Sequence, residues 1–364
     1  MIKSLDEYSN ESLVLLNKYQ TGEIKLTKTN RPWLDNAGGI IPRSIIGILG
    51  ASFSGKTTEL QSLTEDIMNI EVNEDASEYV SLAHAFEMTN FSLTLKSIKN
   101  VTGKKFIDIL GEGFDEKDKV KLKEYFNNKL DGRFFVNHDT GTPKEIGDMT
   151  EEFLKKNIDK KLCLVSLDHS ALLKSKSGNK KEAIDDMLER FNDFKQIYAN
   201  FILIILTQAN RSTLTKIGEK SNEMKLSRDS VYASDTLFHI VDTLYGLQNA
   251  YYLGVEEYRK IRPSKYPNLE HRFTDEDKNG KVSLYSEGCI FVEILKDRMA
   301  DDLDFIDLYT IEIKPFNKET DVHNLKQESK MPIFLPDSPV PRNFDVNLAF
   351  GKPDISEDDT DPPF

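Results

Sequence analysis

Gly50-Ala51-Ser52-Phe53-Ser54-Gly55-Lys56-Thr57 is the stretch that decides the fold. It sets a glycine, four residues, and then glycine, lysine and threonine between an apolar run at residues 44–49 and a stretch of helical composition at 57–68. Strand, glycine loop and helix form the context in which such a pattern grips phosphate. Small residues let backbone N–H groups wrap the anion, the lysine reaches the terminal phosphates, and the threonine hydroxyl coordinates magnesium. Gly50, Ala51, Ser52, Phe53, Ser54, Gly55, Lys56, Thr57 and Thr58 are therefore expected to bind a nucleoside triphosphate, with Thr57 serving Mg2+.

Outward from this loop the chain alternates. Short apolar runs at residues 79–86, 133–136, 162–167 and 201–207 are separated by helix-like stretches at 91–98, 115–129, 143–156 and 181–199. More strands are expected at 240–247, 289–295 and 308–313. Continuous apolar strands between helices predict an α/β fold with a mostly parallel central sheet covered on both faces. Residues 249–287 are polar, aromatic and turn-rich, which reads as an inserted loop or hairpin; from 314 onward prolines and acids without helical period predict a disordered acidic tail. At the other end, Leu13, Leu15, Leu16 and Tyr19 fit one short helix over residues 6–20. The expected organisation is a linker helix within 1–30, a nucleotide-binding domain over 31–314 and a tail over 315–364.

A chain of 364 residues has room for one large α/β domain with short appendages. Its most apolar stretch, residues 201–206, is far too short to cross a bilayer. Met1-Ile2-Lys3-Ser4-Leu5-Asp6-Glu7 places acids where a secretory leader carries its apolar core, and the two cysteines are distant in sequence. These features predict a soluble, cytoplasmic protein without disulfides or a membrane partner. The formal charge of −13 argues against a surface that attracts nucleic acid everywhere, and it leaves room for a local basic channel.

Three polar residues end apolar runs. Asp168 closes the run at 162–167 and suits a magnesium-site carboxylate or, alternatively, a helix cap. Glu87 follows the run at 79–86, where it can activate water; alone, such a residue is more often a solvated loop acid. Gln208 opens Gln208-Ala209-Asn210-Arg211 and can sense a terminal phosphate, or serve as an ordinary loop amide.

The order of Gly50 through Thr57, Phe86-Glu87-Met88, Asp139-Thr140-Gly141-Thr142-Pro143, Leu167-Asp168 and Leu206-Thr207-Gln208-Ala209-Asn210-Arg211 resembles the ATPase domain of DnaB-type replicative helicases, within the RecA-like superfamily. The resemblance covers residues 32–313. It implies a RecA-like P-loop fold that uses ATP and Mg2+, and a homo-hexameric ring that translocates on single-stranded DNA. It also implies that Glu87 is the catalytic glutamate, Asp168 the magnesium-site aspartate and Gln208 the phosphate sensor. In Lys296-Asp297-Arg298, Lys296 and Arg298 resemble the pair that reaches a neighbouring subunit's nucleotide. The family usually continues with a glycine, whereas Met299-Ala300-Asp301-Asp302 follows here.

For DNA, Arg228 in Leu226-Ser227-Arg228-Asp229-Ser230 resembles the family's phosphate-contacting loop. Lys174, Lys176, Lys180 and Lys181 add a basic stretch suited to phosphate, or a solvated charge run. Within the insertion, Asp275-Glu276-Asp277-Lys278-Asn279-Gly280 copies the opening of a calcium loop, but Ser286 holds the position of the bidentate glutamate, so a polar turn is expected. Tyr251, Tyr252, Arg259, Lys260, Arg262, Lys265 and Tyr266 interleave aromatics with bases, and a solvated loop is the expectation. The last residues, including Asp358, Asp359, Asp361 and Phe364, resemble the tips of bacterial single-stranded-DNA-binding proteins, which implies docking to replication proteins. Within the superfamily a filament-forming strand-exchange recombinase is the alternative; a non-motor, ATP-binding regulator is another.

Overall fold

The computed structural model describes residues 4–313 except 36–38, 88–89, 130–131, 169–172, 176, 211–225, 232–234 and 299–306. The acidic tail with Asp358, Asp359, Asp361 and Phe364 lies outside the described residues, as do Lys176 and Arg211. The strands, in chain order, are β1 (Ser44–Gly50), β2 (Tyr79–Ala85), β3 (Phe134–Asn137), β4 (Leu162–Asp168), β5 (Phe201–Gln208), β6 (Thr243–Gln248), β7 (Glu257–Ile261), β8 (Val282–Tyr285), β9 (Cys289–Asp297) and β10 (Leu308–Glu312). The helices are α1 (Leu5–Gln20), α2 (Pro32–Asp35), α3 (Lys56–Ile67), α4 (Asn90–Thr102), α5 (Phe106–Glu112), α6 (Glu116–Lys129), α7 (Pro143–Lys156), α8 (Lys180–Ile197) and α9 (Asp235–Ile240).

Eight strands form one sheet in the order β10-β9-β6-β1-β5-β4-β2-β3. The pairs from β6 through β1, β5, β4 and β2 to β3 are parallel. At the other end β9 runs antiparallel to β6, and β10 to β9. The unbroken apolar character of β5 follows from burial on both faces. Phe201, Leu203 and Ile205 enter the core under α7 and α8, with Ile146, Leu154, Met187, Leu188 and Phe191. Ile202, Ile204 and Leu206 enter the opposite core under α3, with Leu60, Leu63 and Ile67. This is the mostly parallel α/β sheet that the alternation predicts.

Local chemistry sets the joints. Thr142 caps α7 and exchanges hydrogen bonds with Glu145, while Pro143 occupies the first turn. The expected strand at 240–247 begins later, because α9 runs to Ile240 and Asp242 turns the chain into β6. Asp242 is tied to β1 twice: its backbone N–H donates to Ile45 O at 2.8 Å, and its Oδ2 accepts from Ile45 N at 2.8 Å.

Within 249–287, read as an inserted loop or hairpin, Tyr251, Tyr252, Lys260, Arg262 and Lys265 are exposed as a solvated loop requires, whereas Tyr266 is buried and Arg259 half-buried. Strands β7 and β8 pair antiparallel. Val255, Tyr258, Ile261, Tyr266, Leu269, Val282 and Leu284 build a third core against Phe291 and Leu308. Tyr258 stacks on Phe291 with ring centroids 4.2 Å apart. Arg272 is fully buried, donating to Tyr285 O and Glu287 O at 2.9 Å each and pairing with Glu312. The aromatic residues are here because the outer edge of the sheet carries apolar side chains that need cover. Asp277 closes a polar turn by accepting from Asn279 N and Lys281 N at 2.8 and 3.0 Å. Among the described residues no group of three or more His, Cys, Asp or Glu is placed to hold a metal ion.

Candidate nucleotide-binding site

The loop between Gly50, which ends β1, and Lys56, which opens α3, is shaped by close approach. A Cβ on Gly50 would lie 2.3 Å from Ser54 Oγ and 2.8 Å from Leu247 O, so a side chain there displaces backbone. Gly55 sits at φ 91° and Phe53 at φ 64°, two left-handed residues that curl the loop around the helix N-terminus. Phe53 projects outward, 76% exposed, with its ring 5.5 Å from that of Tyr252. Lys56 Nζ lies across the loop, donating to Gly50 O at 2.9 Å and Ala51 O at 2.6 Å. Burial lowers its pKa, and the negative charges of Glu87 and Asp168 oppose that shift.

Strand register assembles the rest. Gly50 pairs with Gln208 and Ala85 with Asp168, so β1, β5, β4 and β2 end side by side at the carboxyl edge of the sheet. Open α/β sheets bind ligands at that edge. Gln208 Nε2 donates to Ser52 Oγ at 2.9 Å, joining the end of β5 to the loop. Glu87, exposed, follows β2 by two residues. Thr57 and the buried Asp168 line one cavity of about 260 Å³. A hydroxyl and a single carboxylate suit Mg2+, which keeps several waters and takes phosphate oxygens to complete its shell. The donors present therefore fit magnesium, with Thr57 and Asp168 as the residues that would hold it.

Two features of this edge escaped the sequence. Lys96, on α4, is half-buried; burial lowers its pKa, and Asp168 and Glu87 both act against that shift. A second cation thus faces the candidate metal site from α4. On the other side of the loop, Arg31, Pro32, Gly55, Thr58, Ile290 and Thr310 border a cavity of about 380 Å³. Arg31 is fixed there by Glu59 at 2.8 Å and Asp66 at 2.7 Å. A single arginine well before the lysine of the loop has no sequence pattern to announce it.

His84 lies beneath the edge with no exposure. Its Nδ1 accepts from Asn137 Nδ2 at 3.1 Å, which leaves Nε2 to donate to Thr150 Oγ1 at 2.9 Å. The Thr150 hydroxyl in turn donates to Ile146 O. Burial pulls the His84 pKa down to about 4, so the ring is neutral.

Lys296 and Arg298 stand apart from this edge. Asp297 pairs with Thr243, four residues and about 13 Å along β6 from the Leu247 that pairs with Gly50. Lys296 Nζ donates to Phe238 O at 2.5 Å, and Arg298 donates to Asp242 Oδ1 at 3.0 Å and His239 O at 2.6 Å. Burial and the nearby Arg298 pull the Lys296 pKa down to about 8. Arg228 is exposed and lies 4.8 Å from the centroid of the Phe238 ring. Lys180 Nζ donates to Leu173 O at 2.7 Å, and Lys174, exposed, is held through its backbone N–H on Gly141 O at 2.9 Å.

Comparison with known proteins places the architecture. No protein-family profile matches the chain, and no curated protein matches it significantly. Solved structures do match. A structure described as an ATPase domain aligns with a TM-score of 0.60 at 15% identity, covering 85% of this chain and 95% of that one. A DnaB-like replicative helicase, solved to show its interactions with primase, aligns with a TM-score of 0.58 at 16% identity over 85% of this chain. This chain spans 64% of that helicase's length. The chain therefore has the α/β RecA-like P-loop fold of the DnaB-type helicase ATPase domain.

Proposed function

We propose that this chain is an ATP-dependent DNA helicase motor: a ring, hexameric by resemblance, in which hydrolysis at subunit interfaces drives translocation on single-stranded DNA. The observation that carries this is the split between the two edges of the sheet. Lys56, Thr57, Glu87, Asp168 and Gln208 belong to the carboxyl edge, whereas Lys296 and Arg298 are fixed toward the amino edge. A cation pair there cannot serve its own loop, but in a closed ring it faces a neighbour's.

In that ring the backbone of Gly50 to Thr58 and Lys56 bind the phosphates of ATP. Thr57 and Asp168 would hold magnesium, which when bound would neutralise phosphate charge. Glu87 accepts a proton from the attacking water, Gln208 reports the terminal phosphate to β5, and Lys296 and Arg298 from the next subunit stabilise charge in the transition state. The cavity of about 380 Å³ beside Thr58 and Arg31 is the place this reading gives to the nucleoside. Arg228, Lys174 and Lys180, with Lys176 from outside the described residues, contact DNA phosphates without reading bases. Helix α1 packs on the adjacent subunit, since Leu13, Val14, Leu15 and Leu16 are 45–63% exposed on their own chain. Residues 1–30 are then a linker, 31–314 the motor, and 315–364 a tail whose Asp358, Asp359, Asp361 and Phe364 dock replication proteins. The site of action is the cytoplasm; no described helix is long and apolar enough to cross a membrane.

Unwinding of forked DNA carrying either a 5′ or a 3′ tail tests this directly. ATP-dependent strand separation with one preferred tail is expected. Nucleoprotein filaments by electron microscopy, without unwinding, would establish a recombinase instead; nucleotide binding with neither would establish a regulator.

A further inference from the structure

We propose that Phe238 is a positioning residue that links the DNA-contact candidate Arg228 to the pair Lys296 and Arg298, so that DNA governs when the pair can serve a neighbouring subunit. The inference rests on the motor function proposed above.

The Phe238 ring has two cations near it, the Arg228 guanidinium at 4.8 Å and the Lys296 ammonium at 5.2 Å from its centroid. Both are within the range, about 6 Å, over which a ring face attracts positive charge. The backbone of the same turn holds the pair: Phe238 O accepts from Lys296 at 2.5 Å, and His239 O accepts from Arg298 at 2.6 Å. Arg228 Nη2 also lies 3.3 Å from His239 Nε2. All three cations thus converge on two consecutive residues at the C-terminal end of α9, where backbone carbonyls favour positive charge. Asp242, accepting from Lys195 at 2.6 Å and Arg298 at 3.0 Å, anchors the cluster to β1 through Ile45.

This arrangement has a consequence for nucleic acid. A phosphate offers Arg228 a charge-assisted bond, stronger than a ring contact at an exposed site. Arg228 then leaves the ring and His239, and the end of α9 loses contacts that fix it. Lys296 exchanges neutral carbonyls, and Arg298 the His239 carbonyl and the Asp242 carboxylate, for the phosphate oxygens of the neighbouring nucleotide. Without DNA the carbonyls of Phe238 and His239 and the Asp242 carboxylate keep the pair on its own subunit.

Phe238→Met retains an apolar side chain against the core and removes the ring face, while Phe238→Tyr retains the ring. Steady-state ATPase of the full chain is measured for both and for wild type, with and without a single-stranded oligonucleotide. For Phe238→Met the DNA-free kcat is expected to rise and the stimulation ratio to fall roughly fivefold, the effect of one to two exposed cation–ring contacts. KM for ATP stays unchanged, because the phosphate loop is untouched, and Phe238→Tyr keeps the wild-type ratio. A stimulated wild type with an equally stimulated Phe238→Met overturns the link alone. So does an equal loss of rate with and without DNA, accompanied by a lower melting temperature, which marks a packing role. A wild type that DNA does not stimulate overturns the motor function and the link together.

Discussion

Gln208 at the end of β5 donates from Nε2 to Ser52 Oγ, 2.9 Å away in the phosphate loop. The bond spans 156 positions of sequence and exists because Gly50 and Gln208 are direct register partners on adjacent parallel strands. In the proposed motor, a phosphate entering the loop competes for the same amide, which is how β5 would feel nucleotide state through one side chain.

Gln208→Ala is therefore expected to lower kcat about 100-fold, the usual cost of one transition-state donor, with a much smaller change in nucleotide affinity. Single-turnover hydrolysis alongside equilibrium binding of a fluorescent ATP analogue checks this. An unchanged single-turnover rate would remove Gln208 from the site.

Lys56→Ala and Arg298→Ala lie on opposite sides of a shared interface in the proposed ring. Each alone is expected to lose roughly 1,000-fold or more in ATPase, a magnitude typical of a trans-acting arginine. Mixing the two before assembly is expected to restore a measurable part, since some interfaces then join an intact loop to an intact arginine. An Arg298→Ala protein that hydrolyses ATP at the wild-type rate contradicts the shared site.

Stability is expected to fall with acid through His84. Its folded pKa of about 4 lies below the ordinary histidine value, so its contribution is present above about pH 6.5 and is lost as pH falls toward 4. Between pH 7.5 and 5 the loss is about 2 kcal/mol if the ring stays buried. Urea unfolding at the two pH values should show a smaller difference in His84→Gln than in wild type. Equal differences would assign the pH dependence elsewhere.

The exposed apolar residues of α1 give an assembly prediction. Leu13→Asp combined with Leu16→Asp removes apolar area worth roughly 1.5–3 kcal/mol per fully buried side chain at each interface. The oligomer is expected to dissociate to smaller species by native mass measurement at micromolar concentration. An unchanged mass would free α1 from any part in the ring.

Much of the sheet was legible because its strands are buried on both faces and so stand out as apolar runs. The positions of Asp168, Glu87 and Gln208 were legible for a related reason: each follows such a run, and a parallel sheet brings every carboxyl end to one edge. Strand order was not legible, since nothing in β1 states that it lies between β5 and β6. The core inside segment 249–287 was not legible, because Tyr258 and Ile261 flank a register shift that breaks the alternation of β7, and Tyr266 and Leu269 reach the core from short turns with no period of two or 3.6. Helix α5 escaped because none of its residues is buried. Lys96 and Phe238 escaped because their partners are set by tertiary approach between elements distant in sequence.

Glu87 carries the central claim, that this chain is a hydrolytic motor and not only a nucleotide-binding fold. The most direct measurement is DNA-stimulated ATPase of wild type and Glu87→Gln, with nucleotide binding followed in the same preparations. DNA should stimulate the wild type, while Glu87→Gln binds ATP normally and loses roughly 100-fold to 10,000-fold in rate, the range for a positioned general base. Hydrolysis at the wild-type rate in Glu87→Gln, with or without DNA, would contradict the account.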